Sequence, residues 1–212
     1  MEIQTASKLI PDSKLAREIT TLAKEELTPL LFKHSSRVYE FGALTGKRRA
    51  LRFEPELLYA GAMFHDFGLM PKYSSKTERF EVDGANAARE FLNSHSITEK
   101  EIYEVWTAIA LHTTPGIPIH MAPTVALVTA GVEMDVLGIG YDQFSLEEKS
   151  MIVSEYPRSK NFKEEIISAF YDGIKAKPQT TFGNVKADVI SDKESNFVRE
   201  NFCKIIRDSQ WT

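Results

Sequence analysis

Several side chains that can bind a metal ion stand on the apolar faces of segments with helical periodicity. His34, His112 and Asp135 each continue an apolar stripe in steps of three or four residues. The stripes consist of Leu31, Val38 and Phe41 around His34, of Ile102, Val105 and Ile109 before His112, and of Val125, Val128 and Val132 before Asp135. A fourth apolar segment, 57–64, runs directly into His65 and Asp66. A carboxylate on a core-facing stripe must be paired, protonated or metal-bound, because an isolated buried ion costs several kcal/mol.

Two imidazoles and two carboxylates make a suitable ligand set for a divalent metal ion. If the helices converge, His34, His65, Asp66 and Asp135 could hold Zn, Mn, Fe or Ni and leave positions open for water or substrate. Simpler interpretations remain open for each residue. His34 can be a hydrogen-bonded core histidine, and Asp135 can be an N-cap partner or the partner of an arginine such as Arg37.

The rest of the chain reads as helices that would position these groups. Apolar periodicity and capping residues predict helices at about 12–27, 29–46, 55–65, 81–93, 98–111, 123–137, 145–155, 162–176 and 193–208. Thr98 and Glu101 form the Thr-x-x-Glu pattern of a capping box. Only weak strand candidates, near 117–121 and 185–190, compete with helix. We therefore expect an all-α, single-domain bundle over residues 1–212, with a core at about 10–190 and a C-terminal helix at about 193–208.

Composition and charge exclude several classes of protein. The 212 residues carry 30 acidic and 26 basic side chains, and this small acidic excess argues against a general nucleic-acid-binding surface. One cysteine, Cys203, cannot form an intramolecular disulfide, which favours a reducing compartment. Residues 1–14 lack the pattern of a signal peptide, and no apolar run reaches the ~18 residues of a membrane span. The expectation is a cytoplasmic protein with no nucleic-acid and no membrane partner.

The pattern His34…His65-Asp66…Asp135 resembles the HD superfamily of metal-dependent hydrolases. The strings that surround these residues fit as well: KHSSRVYEFG, LLYAGAMFHDFGL and ALVTAGVEMDVLG. RFEVDGANAAREFL (79–92) and AIALHTTPGIP (108–118) are similar to the branch that includes fungal cyanamide hydratase. The resemblance implies an HD-type helical bundle and a metal site at these four residues, but it does not determine the substrate.

The resemblance also bears on the number of metal ions. Two-metal members carry two further histidines between the His-Asp pair and the last Asp. His112 is the best candidate here, whereas His95 lies at a predicted helix end and His120 follows a Pro-Gly-Ile-Pro turn. Where the other histidine is expected, the chain has Phe80 and Glu81. One divalent ion is therefore predicted, with Zn preferred over Fe, Mn or Ni.

Three residues are candidates for proton transfer. Asp66 is predicted to be both ligand and proton acceptor, and Glu81 or His112 would orient the water or return a proton. Glu81 also has an ordinary interpretation, as a first-turn carboxylate that complements the helix dipole.

Substrate contacts are predicted at four further positions. Phe64, Phe67 and Phe80 would suit a small uncharged substrate. In phosphatase members of the superfamily, a basic residue soon after His-Asp helps to bind phosphate, a role for which Lys72 is a candidate here; its alternative is a solvated surface lysine.

These observations favour a metal-dependent hydrolase or hydratase that acts on a small molecule, with hydration of a cyanamide- or nitrile-like compound as one possibility. The alternative is a phosphohydrolase acting on nucleotides or other phosphomonoesters, which needs cations near the metal. Its candidate cations are Arg37, Lys72, Lys76 and Arg79. A homo-oligomer is possible if the stripe of Val198, Phe202 and Ile205 packs on a neighbour, and the loop 180–184 could cover the site or form a turn with Gly183 and Asn184 at positive φ.

Overall fold

A computed structural model describes residues 9–181, 183 and 185–211. The helices are α1 Lys14–Glu26, α2 Pro29–Arg48, α3 Pro55–Phe64, α4 Phe80–Asn93, α5 Glu99–Leu111, α6 Pro123–Val132, α7 Leu146–Glu155, α8 Phe162–Ile174, α9 Val185–Lys193 and α10 Phe202–Asp208. α6 continues directly into a π-helical turn, Glu133–Leu137. These described residues contain no β-strand, so the prediction of an all-α bundle is confirmed. No helix among them is long and apolar enough to cross a membrane.

Local side chains set where most helices begin. Ser13 caps α1 by accepting a hydrogen bond from the backbone N–H of Ala16, and Thr28 does the same for Leu31 ahead of Pro29. The predicted capping box of Thr98 and Glu101 is present at the start of α5. The sequence therefore predicted the starts of α2 to α8 to within about one residue.

The C-terminal part differs from the prediction. Of the helix expected over 193–208, only α10 forms, and α9, which precedes residues 194–201, was not predicted as a helix. The late start of α10 has a local cause, because the Asn201 side chain caps it by accepting from the Lys204 N–H. Val198 lies outside α10 and is 86% exposed, so Val198, Phe202 and Ile205 do not share one helical face. The strand candidates were also wrong, since 118–120 form a 3-10 turn and 185–190 belong to α9.

Two sequence expectations concern residues that are not described. Residues 1–8, which carry most of the segment judged to lack a signal peptide, lie outside the described ranges. Asn184, expected at positive φ, does so too.

Close backbone contact between α2 and α6 places the metal-ligating candidates beside one another. A Cβ added at Gly42 would lie 2.7 Å from the Leu127 carbonyl oxygen, and one at Gly131 would lie 2.1 Å from the Val38 carbonyl oxygen. Glycine at both positions lets the two backbones touch. The contact brings the turn that follows α6 alongside the first half of α2.

Replacing Gly131 by alanine should therefore destabilise the fold by about 2 kcal/mol or more, because the new methyl group meets a backbone carbonyl that cannot move aside. Gly61→Ala is the matched control. Its Cβ would meet a side-chain methyl group of Val128 at 2.8 Å instead of a backbone atom, so we expect a smaller loss of stability than in Gly131→Ala. Urea denaturation of the two variants measures the difference, and equal stabilities would refute the close-contact interpretation.

Glu40 on α2 is a buried carboxyl without a hydrogen-bond partner in the described part of the chain. Burial raises the pKa of Glu40 to about 8, with nearby Lys47 opposing the shift and Glu155 adding to it. The carboxyl is therefore neutral in the folded chain at pH 7, whereas it is ionised in the unfolded chain.

This difference makes Glu40 a source of pH-dependent stability. Because the folded-state pKa is raised, its contribution to stability falls as the pH rises from about 4.5 towards 8. Glu40→Gln should remove this loss, so its advantage over the parent should grow between pH 5 and pH 8 to the order of a few kcal/mol. Urea titrations at both pH values measure the effect, with the exposed Glu90→Gln as control. A difference that does not change with pH would contradict the assignment.

Candidate metal centre

The candidate ligands stand at helix ends and turns that meet in the core. His34 lies in the second turn of α2, and His65 caps the C-terminus of α3, with Asp66 directly after it. His112 caps the C-terminus of α5. α4 packs closely against the end of α3, because a Cβ at Gly84 would lie only 3.0 Å from the Phe64 carbonyl oxygen.

The structure brings four of these side chains together. The Nε2 atoms of His34 and His65 are 3.1 Å apart, and Asp66 Oδ2 lies 3.6 Å from the first and 3.3 Å from the second. His112 Nε2 lies 3.9 Å from Asp66 Oδ1. All four side chains have no exposed surface.

The outward-facing nitrogens fix which way the imidazole lone pairs point. His65 Nδ1 donates to the Ala62 carbonyl, and His112 Nδ1 donates to the Ile109 carbonyl, both at 2.7 Å. His34 Nδ1 lies 2.7 Å from the carboxylate of Asp135. A carbonyl or carboxylate only accepts, so each Nδ1 carries a proton, and each ring in its neutral form turns its Nε2 lone pair inward. Three lone pairs therefore face the Asp66 carboxylate.

This arrangement fits a bound cation. Neither oxygen of Asp66 nor Nε2 of His112 has a hydrogen-bond partner among the described residues. His34, His65 and Asp66 can each offer one ligand atom within 4.8 Å of one another. Ligands that each lie about 2.1 Å from one ion are roughly 3–3.5 Å apart, which matches the distances between their donor atoms. The nitrogen and oxygen donors suit a borderline divalent ion.

Asp135 differs from the prediction that it is itself a ligand. Its two oxygens accept from Arg37 Nε at 2.7 Å, Arg37 Nη2 at 2.9 Å and Arg158 Nη1 at 2.8 Å, besides His34 Nδ1. With both oxygens in use, Asp135 lies outside the group of donor atoms and holds His34 in place. The alternative noted from the sequence, a pair with Arg37, is the arrangement observed.

Electrostatics keep the two carboxylates ionised. Burial alone would raise the pKa of Asp66, but the His65, His34 and His112 rings outweigh it and hold that pKa below its ordinary value. Burial acts on Asp135 in the same way, and the charges of Arg37 and Arg158 overcome it.

The three imidazoles respond differently to their surroundings. Burial, together with His65, lowers the pKa of His112 to about 4. Burial also lowers the pKa of His34, against the opposing effect of Asp135. The charge of Asp66 overcomes burial at His65 and raises the pKa of that ring. His112 is therefore a neutral imidazole at pH 7, with its lone pair available.

Glu81 and Phe80 lie beside His112. Glu81 is buried and accepts hydrogen bonds from Arg79 Nη2 at 2.7 Å and from the Thr113 hydroxyl. Burial raises the pKa of Glu81, but Arg79 and Thr113 more than offset it, so the group is anionic. The Phe80 ring stands edge-on to His112 at 5.6 Å between centroids.

Three residues that were predicted to contact substrate, Phe64, Phe67 and Lys72, contact other side chains of the chain. Phe64 and Phe67 pack on each other at 4.4 Å and on the rings of Phe91 and Tyr73. Both rings are buried in this aromatic cluster, and their contact with substrate stays a prediction. Lys72 is 63% exposed and paired with Glu26 of α1, so the alternative of a surface lysine holds.

The remaining histidines stay away from the cluster. His95 Nε2 pairs with Glu18 at 2.6 Å, and His120 is exposed in the 3-10 turn Pro118–His120.

Sequence reasoning missed Arg158 and Thr113. Arg158 follows a proline in a segment with no periodicity, so no local signal indicated its inward position. Thr113 directly follows His112, and this adjacency could have identified it.

Comparison with known proteins gives concordant results. A sequence model of the HD domain matches residues 31–156, a range that contains every ligand candidate. The chain is similar to cyanamide hydratase DDI2 and cyanamide hydratase DDI3 of Saccharomyces cerevisiae. Each is 26% identical to it over 161 residues, which cover 70% of this chain and 68% of the relative. The resemblance inferred from the His…His-Asp…Asp pattern is confirmed.

The geometry of the cluster predicts which side chains are needed for metal binding. His65→Ala and Asp66→Ala should reduce bound transition metal from roughly one ion per chain to near zero, because each removes a donor that no neighbour replaces. His95→Ala, which removes a surface imidazole, should bind metal like the parent. Elemental analysis after dialysis measures all three, and full metal content in Asp66→Ala would contradict the assignment.

Proposed function

This chain belongs to the HD domain family, and on that premise we propose that it is a hydratase of small, uncharged nitrile-like molecules, with cyanamide as the first candidate substrate. The coarser statement, that it is a metal-dependent hydrolase or hydratase, follows from the family and from the similarity to two cyanamide hydratases. The choice of substrate class is the proposal.

The observation that carries the proposal is the charge around the cluster. The site is fully buried, and three of the four candidate cations for a phosphohydrolase are engaged by carboxylates, while Lys76 is exposed at the surface. Arg37 is hydrogen-bonded to Asp135, Arg79 to Glu81 and Lys72 to Glu26.

Because these cations are already paired, the site favours an uncharged substrate. A phosphomonoester brings about two negative charges, and burying them without free cationic partners costs several kcal/mol. A neutral molecule of a few atoms meets no such penalty. The charge of the site therefore supports hydration over phosphate ester hydrolysis.

We further propose zinc as the ion, held by His34, His65 and Asp66. Two imidazoles and one carboxylate are the ligand set of several zinc hydrolases, in which the open position receives water. When bound, such an ion lowers the pKa of its water towards neutrality and polarises the substrate.

Asp66 is the proposed proton acceptor. One of its oxygens can serve the ion while the other accepts the proton of the attacking water, because both lack hydrogen-bond donors in the described structure. Water adds to the nitrile carbon, one proton passes to the nitrile nitrogen, and tautomerisation gives urea from cyanamide. The proton that Asp66 accepts is returned to the nitrogen, so the reaction consumes none.

His112 and Glu81 complete the proposed wall of the site. With its Nδ1 proton committed to the Ile109 carbonyl, His112 can act only through the Nε2 lone pair, as an acceptor that orients water. Glu81 is anionic and hydrogen-bonded by Arg79 and Thr113, which suits an orienting role better than that of a general acid. Phe80 covers His112 with an apolar edge.

An activity panel tests the proposed substrate class. The metal-loaded protein should convert cyanamide to urea and leave nucleoside monophosphates and an aryl phosphate intact. Asp66→Ala should lower the rate of urea formation by about 10²–10⁴-fold, since it loses the proton acceptor as well as a ligand. His95→Ala is the control and should keep parental activity. Phosphate release without urea formation would replace this proposal with the phosphohydrolase alternative.

A further inference from the structure

The π-helical turn that carries Asp135 is held by residues far along the chain. In Glu133–Leu137 the helix widens to accommodate an extra residue and ends at Gly138, whose φ is +71°. Trp211 Nε1 donates to the Met134 carbonyl at 2.8 Å, and Arg158 Nη1 donates to the Asp135 carbonyl at 2.7 Å. Two outside donors thus bind successive carbonyls of a rare turn.

Segment 209–211 also packs on the end of this turn. A Cβ placed on Gly138 would lie 3.4 Å from the Ser209 Cβ and 3.8 Å from the Trp211 ring. Trp211 is 7% exposed and contacts the rings of Tyr141 and Phe41, at 4.9 and 5.8 Å between centroids. The indole is therefore fixed on more than one side.

Arg158 connects Trp211 to Asp135. Its guanidinium lies over the Phe162 ring at 3.9 Å and over the Trp211 ring at 4.6 Å. The same Nη1 donates to both the backbone oxygen and the side-chain Oδ1 of Asp135. Arg158 consequently couples the main chain of the turn to the direction of the carboxylate.

The direction of the Asp135 carboxylate determines the tautomer and the orientation of the His34 imidazole. Asp135 Oδ2 receives the Nδ1 proton of His34, which leaves Nε2 as the inward lone pair 3.1 Å from His65 Nε2. A carboxylate that turned away would free the ring to rotate or to change tautomer. Partners of this kind typically contribute 10–100-fold to metal affinity.

We propose that Arg158 and Trp211 are positioning residues of the metal site, acting through the π turn and Asp135 on the orientation of His34. Both residues lie beyond the range matched by the HD domain, 31–156, so this support comes from a part of the chain outside that match. The inference rests on the proposed function only in requiring that the centre binds a metal.

Conservative substitutions separate positioning from simple packing. Arg158→Lys keeps the charge but loses the planar group that stacks between two rings, and Trp211→Phe keeps a ring but loses the N–H. A matched pair exists on the surface, where Arg89 lies 5.0 Å from the Trp106 ring and Trp106 Nε1 donates to Asn86. Arg89→Lys and Trp106→Phe therefore make the same chemical changes away from the centre.

The experiment measures Zn²⁺ and Co²⁺ affinity by competition with a chelator, together with the visible spectrum of the Co²⁺-loaded protein and the melting temperature of the metal-free protein. Arg158→Lys should weaken metal binding 10–100-fold and Trp211→Phe about fivefold, with altered Co²⁺ bands. The two control variants should match the parent.

Each contrary outcome has a distinct meaning. Parental affinity and parental Co²⁺ bands in Arg158→Lys would overturn the positioning role, even if the parent hydrates cyanamide. Weaker binding with unchanged Co²⁺ bands, explained by a lower melting temperature, would also overturn it in favour of packing alone. A parent that binds metal normally but produces no urea would remove the proposed substrate and leave the positioning role intact.

Discussion

Three imidazole Nε2 atoms and one carboxylate face one another in the core of this protein, and the electrostatic repulsion among them when the rings are neutral is the constraint on which the site depends. The Nδ1 protons of His65 and His112 are committed to backbone carbonyls of the preceding helical turn, so the rings cannot relieve the repulsion by changing tautomer without losing those bonds. A cation at the centre turns the same arrangement from unfavourable to stabilising. Such an ion would therefore account for the close approach of these buried donors.

The helical framework explains why the donors can be so close. His65 and His112 occupy helix C-termini, where a side chain projects beyond the last turn, and the π turn after α6 redirects Asp135. Glycines at the contact of α2 and α6 bring the backbones together. Residues around the donors have separate roles, since Asp135 is hydrogen-bonded to His34, while Arg37 and Arg158 keep Asp135 ionised.

Helical periodicity was sufficient to predict that His34, His112 and Asp135 are buried, because burial on a stripe requires only the sequence spacing. The same spacing could not tell whether Asp135 meets a metal or an arginine, since a π turn changes the direction of a side chain without leaving a pattern in the sequence. The surroundings of Lys72, Phe64 and Phe67 could not be predicted for a related reason, as positions at and after the end of α3 depend on how that segment packs. Arg158 could not be predicted because its hydrogen-bond partner Asp135 lies 23 residues away in the sequence.

The separation of the donors along the chain has a consequence for folding. His34 and His65 are 31 residues apart, and His112 comes from yet another helix, so a shared ion would join distant parts of a chain whose only cysteine cannot form an internal disulfide. Such an ion would act as a reversible cross-link, whose binding free energy is added to that of folding. Supply of metal would then govern how long the chain survives in the folded state, in addition to governing its chemistry.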